Sequence, residues 1–229
     1  MKNLLKYVVL GGAITAFTGM AYAIPTLWLT DGTAANSFKI ADGSALDANP
    51  LPNVVTYIGS VGSIWSVNVS TGIIGGTAAQ PTLDFSSVDM SIGAGTLYAY
   101  FSADGFGPTI GSLSSAVGGT TTNGDVTFRT AVNAANVLFT GTLITTQGPF
   151  TGPAFSDLAS APVSFGAPYS LSGIAVIRHT SGGTTSFDMS TSVPDGGTTV
   201  LLLGAGLMGL TLVSRSRKRR SLSMTSLAV

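Results

Sequence analysis

Between residues 24 and 192 the chain never sustains an apolar stripe of helical period. Its apolar residues come in short runs, several of them alternating. Trp65, Val67 and Val69 alternate with Ser66, Asn68 and Ser70. Over residues 97–103, Tyr98 and Tyr100 fall on one face, Leu97 and Phe101 on the other. A period of two places successive side chains on opposite faces of a strand. Gly, Ser and Thr fill much of the remainder, with 30 Gly in 229 residues. These types disfavour helix through backbone entropy and competing side-chain hydrogen bonds. Asp31-Gly32, Asp42-Gly43, Asp104-Gly105 and Asn123-Gly124 are turn dipeptides between runs.

Further strands are expected over residues 38–40, 54–58, 83–90, 126–129, 136–145, 171–178 and 185–189. The longest of these is 136–145, with Val137, Phe139 and Leu143 on one face. The run 171–178 is apolar on both faces, as a central buried strand would be. Residues 111–124 read as a long Gly/Ser/Thr loop, 148–168 as an irregular Pro-rich segment, and 180–183 as a hairpin turn. Roughly ten short strands predict an all-β fold, a single β-sandwich or jelly-roll-like domain over 24–192. A domain of that length can bury a substantial core.

Both ends have a different character. Lys2 and Lys6 precede an apolar stretch, and Ala21-Tyr22-Ala23 fits the small-residue cleavage pattern. This predicts a secretory signal peptide over 1–23, cut after Ala23. At the other end Val193, Pro194, Asp195, Gly196 and Gly197 interrupt regular structure. Residues 198–213 carry no charge, and as a helix would span roughly 24 Å. That predicts one transmembrane helix, short enough for a ~30 Å hydrocarbon core to need thinning or snorkelling. Arg215, Arg217, Lys218, Arg219 and Arg220 follow, a cluster that stays on the cytoplasmic side. Residues 221–229 would form a cytoplasmic tail. The two signals agree on topology, with the middle of the chain outside. Gly204-Ala205-Gly206-Leu207-Met208-Gly209 matches G-x-G-x-x-G. It lacks the βαβ unit and the acidic residue ~20 positions on that a dinucleotide site requires. Small residues tolerated in a membrane helix explain it.

The tripartite tail resembles the PEP-CTERM class of sorting signals, in its V-P-D-S-G-like variant. The matching residues are Val193, Pro194, Asp195, Gly196 and Gly197, then the apolar segment 198–213, then the basic cluster 215–220. Gly196 stands where that variant usually carries Ser, and 221–229 continue past the usual end. The stretch from Tyr169 to Asp188 is similar to the last two strands of many such proteins. The resemblance implies an exosortase-like processing enzyme as a partner. It also implies export in a Gram-negative-type bacterium and display at the cell surface, outer envelope or extracellular matrix. The context it suggests is exopolysaccharide and biofilm.

Charge narrows the chemistry. Ten Lys+Arg balance ten Asp+Glu, but every acid is Asp and lies between Asp31 and Asp195. Only Lys39, Arg129 and Arg178 are basic in the middle of the chain. That acidic middle lacks the surface that nucleic acid requires. Without Cys there is no disulfide, thiolate metal site or Cys nucleophile. His179 is the only His, so any Ser-His-Asp triad must use it, and no G-x-S-x-G elbow accompanies it. Asp84, Asp89, Asp104 and Asp125 offer no evident pair for glycoside hydrolysis. Asp42 and Asp47 flank a loop without the EF-hand spacing and read as turn formers. No catalytic, cofactor or metal residues are therefore assigned. Trp65 fits a core, whereas Trp28 could stack on sugar. The expectation is a non-enzymatic, exported structural or adhesive protein. The alternative is a surface carbohydrate-binding module with an aromatic platform near Trp28, Tyr57 or Tyr98. A secreted Asp-dependent hydrolase is a second alternative.

Overall fold

The computed structural model describes residues 24–193 and 207–208. Twelve strands form two six-stranded antiparallel sheets packed as a sandwich. They are β1 (Thr26–Thr30), β2 (Ser37–Ala41), β3 (Val54–Val61), β4 (Trp65–Thr77), β5 (Gln80–Ser91) and β6 (Gly95–Phe106). Then follow β7 (Thr109–Thr121), β8 (Gly124–Asn133), β9 (Thr142–Phe150), β10 (Phe155–Phe165), β11 (Tyr169–His179) and β12 (Gly183–Ser192). The first sheet runs β2-β1-β6-β11-β8-β9 and the second β10-β7-β12-β5-β4-β3.

Strands β5 to β12 pair from the outside in. β5 pairs with β12, β6 with β11, β7 with β10 and β8 with β9. Successive pairs alternate between sheets, so a long double ribbon is rolled into two layers. This nested pairing is the connectivity of a jelly roll. The β1–β2 hairpin extends the first sheet beyond β6, and β3–β4 extends the second beyond β5.

Several expected elements differ. Residues 111–124 lie mostly in β7, which pairs on both sides with β10 and β12. Its small Ser, Gly and Ala side chains hid it, because they carry little apolar signal. Most of 148–168 is β10, an edge strand that accommodates Pro162 because an edge need not donate every N–H. Residues 136–141 are not strand. Asn136 and Phe139 there adopt positive φ (59° and 63°), and β9 begins at Thr142. In place of a hairpin turn over 180–183, residues 180–182 cross from β11 in the first sheet to β12 in the second, and Gly183 opens β12. As expected, β11 is central, hydrogen-bonded to β6 and β8.

The core follows the period of two. In β5 the inward residues are Leu83, Phe85, Ser87 and Asp89, with exposed or half-buried residues between. Phenyl rings then connect the layers. Phe101 in the first sheet lies 6.0 Å from Phe85 in the second. Phe85 meets Phe187 edge-on at 5.2 Å, and Phe187 meets Phe128 of the first sheet at 5.1 Å. The chain ends in Phe155 and Phe150, stacked at 4.9 Å.

The predicted signal peptide with Ala21 and Ala23 lies outside the described residues, as do Pro194 to Gly197 and the basic cluster. Of the expected anchor helix only Leu207 and Met208 are described, and both are helical. No helix among the described residues is long and apolar enough to cross a membrane. Val193 is buried at the end of β12, and its N–H donates to the Pro81 carbonyl.

One glycine is set by packing. A Cβ at Gly72 on β4 would collide with the Phe101 ring of the facing sheet. Gly72→Val is expected to cost about 1–3 kcal/mol, as overpacking of a filled core does. A lowered Tm in thermal unfolding would show it, and an unchanged Tm would contradict this packing.

Candidate functional site

Alternation decides which aromatics face outward. In β1, Leu27 and Leu29 are fully buried, so Trp28 projects from the outer face of the first sheet. In β6, Leu97, Ala99 and Phe101 point inward, and Tyr98 and Tyr100 point outward. β1 and β6 are hydrogen-bonded neighbours with Trp28 opposite Tyr100. Their rings stack with centroids 4.6 Å apart at 18°. That distance is close to the ~4.8 Å spacing of strands, so both rings stand upright, face to face.

A recess of about 460 Å³ opens beside this pair, lined by Trp28, Thr30, Ser37, Tyr98, Tyr100 and the 32–34 turn. Thr30 is the small residue between Ser37 and Tyr98 in the register, and it leaves the gap. The Trp28 indole N–H donates to Ser37 Oγ at 2.7 Å. Tyr98, half-buried, lines the recess beside the stacked pair. The rim turn is stapled by Asp31, whose carboxylate accepts from Thr33 N, Thr33 Oγ1 and Asn36 Nδ2 at 2.7–2.9 Å. Those hydrogen bonds, Thr33 first, hold the Asp31 carboxyl below its ordinary pKa. Gly32 beside it takes a positive φ of 93°, which a Cβ would strain.

A loop residue packs against the stacked pair. Phe139 sits edge-on to Trp28 at 5.4 Å and to Tyr100 at 6.2 Å. Lys39 on β2 places its ammonium 5.1 Å from the Trp28 ring and 5.4 Å from the Phe139 ring, a cation–π arrangement. Burial raises the Tyr100 phenol pKa, Tyr98 adds to the rise, and Arg129 opposes it.

Of the aromatics singled out by sequence, Trp28 and Tyr98 share this recess. Tyr57 does not, being buried with its hydroxyl on the Ser60 carbonyl and its ring near Phe38. Trp65 is in the core as expected, 4.9 Å from His179. Tyr100, Ser37, Phe139 and Lys39 escaped sequence reasoning. Tyr100 alone carries a signal, sharing Tyr98's face, whereas the sequence pattern places Phe139 in a strand.

The ionisable residues are dispersed. His179 is buried, with Nδ1 2.7 Å from Ser91 Oγ and Nε2 2.9 Å from Thr185 Oγ1. A Ser–His contact exists, but a hydroxyl occupies the place of the orienting carboxylate in a triad. Thr185 in turn bonds Thr121 at 2.7 Å. Asp84 and Asp89 share β5 but point to opposite faces. Asp125 pairs with Arg178 at 3.4 Å. Asp104 lies near the end of β6, before Gly105 with its positive φ of 75°. Asp42 accepts from Asn53 N, and Asp47 accepts from Gly43 N, Asn49 N and Thr56 N, which pins the β2–β3 loop. Among the described residues no three His or Asp gather around a point that could hold a metal ion.

No family model matches the chain, and no curated protein does. Among solved structures it is similar to infectious bursal disease virus, Gx strain, at 12% identity and TM-score 0.27. That match covers 80% of this chain and 55% of the other. It is also similar to the isomalto-dextranase of Arthrobacter globiformis T6 in complex with panose, at 10% identity and TM-score 0.18. That one covers 60% of this chain and 23% of the other. Neither is a close structural match, and the chain spans only part of each.

Two buried groups give opposite pH responses. Burial lowers the His179 pKa, so the protonated form is favoured in the unfolded chain. His179's share of stability is full above its unfolded value near 6.5 and declines as pH falls below it. Burial raises Asp89 to about 7, with one carboxylate oxygen bonded by Ser87 and the other without a partner. Its share is full below its unfolded value of 3.8 and is lost as pH rises through about 7. Asp89→Asn is expected to raise Tm at pH 8 and change it little at pH 4. Thermal scans across that range would read the difference, and a pH-independent offset would contradict it.

Proposed function

We propose that the chain is an exported envelope or extracellular-matrix protein, sorted by its C-terminal segment, that acts by adhesion rather than catalysis. The observation that carries the reading is the outer-face recess around Trp28, Tyr98 and Tyr100. It offers rings and hydroxyls, the groups that contact a saccharide, and among the described residues no paired carboxylates or His–nucleophile couple line it. A hydrolase would require two converging acids or a complete triad, and the dispersed Asp residues give this no support. Between a purely structural role and carbohydrate binding, the recess favours the second. The tail fits the same picture, because the processing motif would begin at Val193, directly after β12 ends at Ser192. An exosortase-like enzyme would then act immediately beside the sandwich.

Cell fractionation tests the reading. The full chain is expected in the envelope or matrix, with residues 1–23 removed. A chain ending after Val193 is expected to be exported but lost from the surface. Ser91→Ala and Asp84→Asn are expected to leave surface display and cell adhesion unchanged. Retention of the full chain in the cytoplasm with both ends intact would refute export. Loss of adhesion with either substitution, in a folded and displayed variant, would refute the non-catalytic role.

A further inference from the structure

We propose that the outer face of the first sheet binds an acidic polysaccharide, laid across the strands along the row Lys39, Trp28, Tyr100, Ile174 and Arg129. The proposal rests on the adhesive reading above and names the ligand class. These five residues are consecutive cross-strand partners on β2, β1, β6, β11 and β8. Four strand spacings separate the outer two, about 19 Å. An aromatic and aliphatic strip therefore has one cation at each end.

Those cations stand out against the rest of the domain. Only three bases lie between Lys6 and Arg215. Arg178 is paired with Asp125. Lys39 and Arg129, both exposed, make no ion pair among the described residues. The two unpaired positive charges of an otherwise acidic domain thus share one face and one row. Lys39 is held in place by Trp28 and Phe139, and Arg129 is near enough to Tyr100 to act on its phenol. Single charges separated by rings match carboxylates spaced along a sugar chain. A phosphate would call for clustered donors. The recess beside the strip would receive a pyranose, with Ser37, Tyr98 and Tyr100 among its lining residues.

The test uses the purified full-length chain in mild detergent, with polygalacturonate and uncharged dextran as probes. Polygalacturonate is expected to bind, more weakly as salt rises from about 50 to 500 mM, and dextran to bind much less. Lys39→Gln with Arg129→Gln is expected to weaken polygalacturonate binding at least about fivefold without changing Tm. Tyr98→Ala is expected to weaken it as well, and Arg178→Gln to leave it unchanged. Equal binding of both glycans, with the double variant unaffected, would overturn the acidic assignment and leave saccharide adhesion standing. Binding of neither glycan by the folded chain would overturn the site, whereas failure of export is read only in the fractionation experiment.

Discussion

The fold depends on contact between the two sheets through phenyl rings. Phe101, Phe85, Phe187 and Phe128 form a chain that leaves the first sheet, runs along the second and returns. Each ring buries a large apolar area, and each pair adds about 0.5–1.5 kcal/mol through edge and tilted geometry. The other inward positions beneath them are largely Leu, Val, Ile and Ala. A domain so rich in Gly, Ser and Thr has few large side chains to bury. Concentrating them at the sheet interface holds two layers together although most outer positions are polar.

That arrangement also determines the site. Because Leu27 and Leu29 must face the interior, Trp28 cannot. Because Leu97 and Phe101 must, Tyr98 and Tyr100 cannot. Register then brings Trp28 against Tyr100, and the small Thr30 leaves the recess. The recess is therefore a consequence of core alternation on two neighbouring strands, and Phe139 from a loop and Lys39 from the edge strand pack against the stacked pair beside it.

The interior is less apolar near the His179 end of the sandwich. Ser70 and Ser87 share a hydrogen bond of 2.6 Å, and Ser87 bonds Asp89. His179 is satisfied by Ser91 and Thr185. Buried polar groups of this kind persist when partnered, whereas burial of the Asp89 carboxyl, with one oxygen unpartnered, favours its protonated form and raises its pKa. Among the described residues the His179 ring is hydrogen-bonded by hydroxyls alone.

Sequence alone determined the class of the fold. Trp65 and Val67 alternating with polar residues, Leu97 and Phe101 opposite two tyrosines, and the doubly apolar run in β11 each state a strand by local pattern, and each is one. β7 was invisible because its Ser, Gly and Ala residues lack an apolar period, although hydrogen bonds on both sides make it a strand. The segment around Phe139 misled for the opposite reason, since its apolar residues serve a loop folded over a face. Only tertiary structure decided which strands are neighbours, and hence that residues 39, 28, 100 and 129 share one cross-strand row. Local periodicity specifies the face on which a side chain lies. Partner choice comes from burying that face and satisfying backbone groups over long sequence distances, which no local pattern encodes.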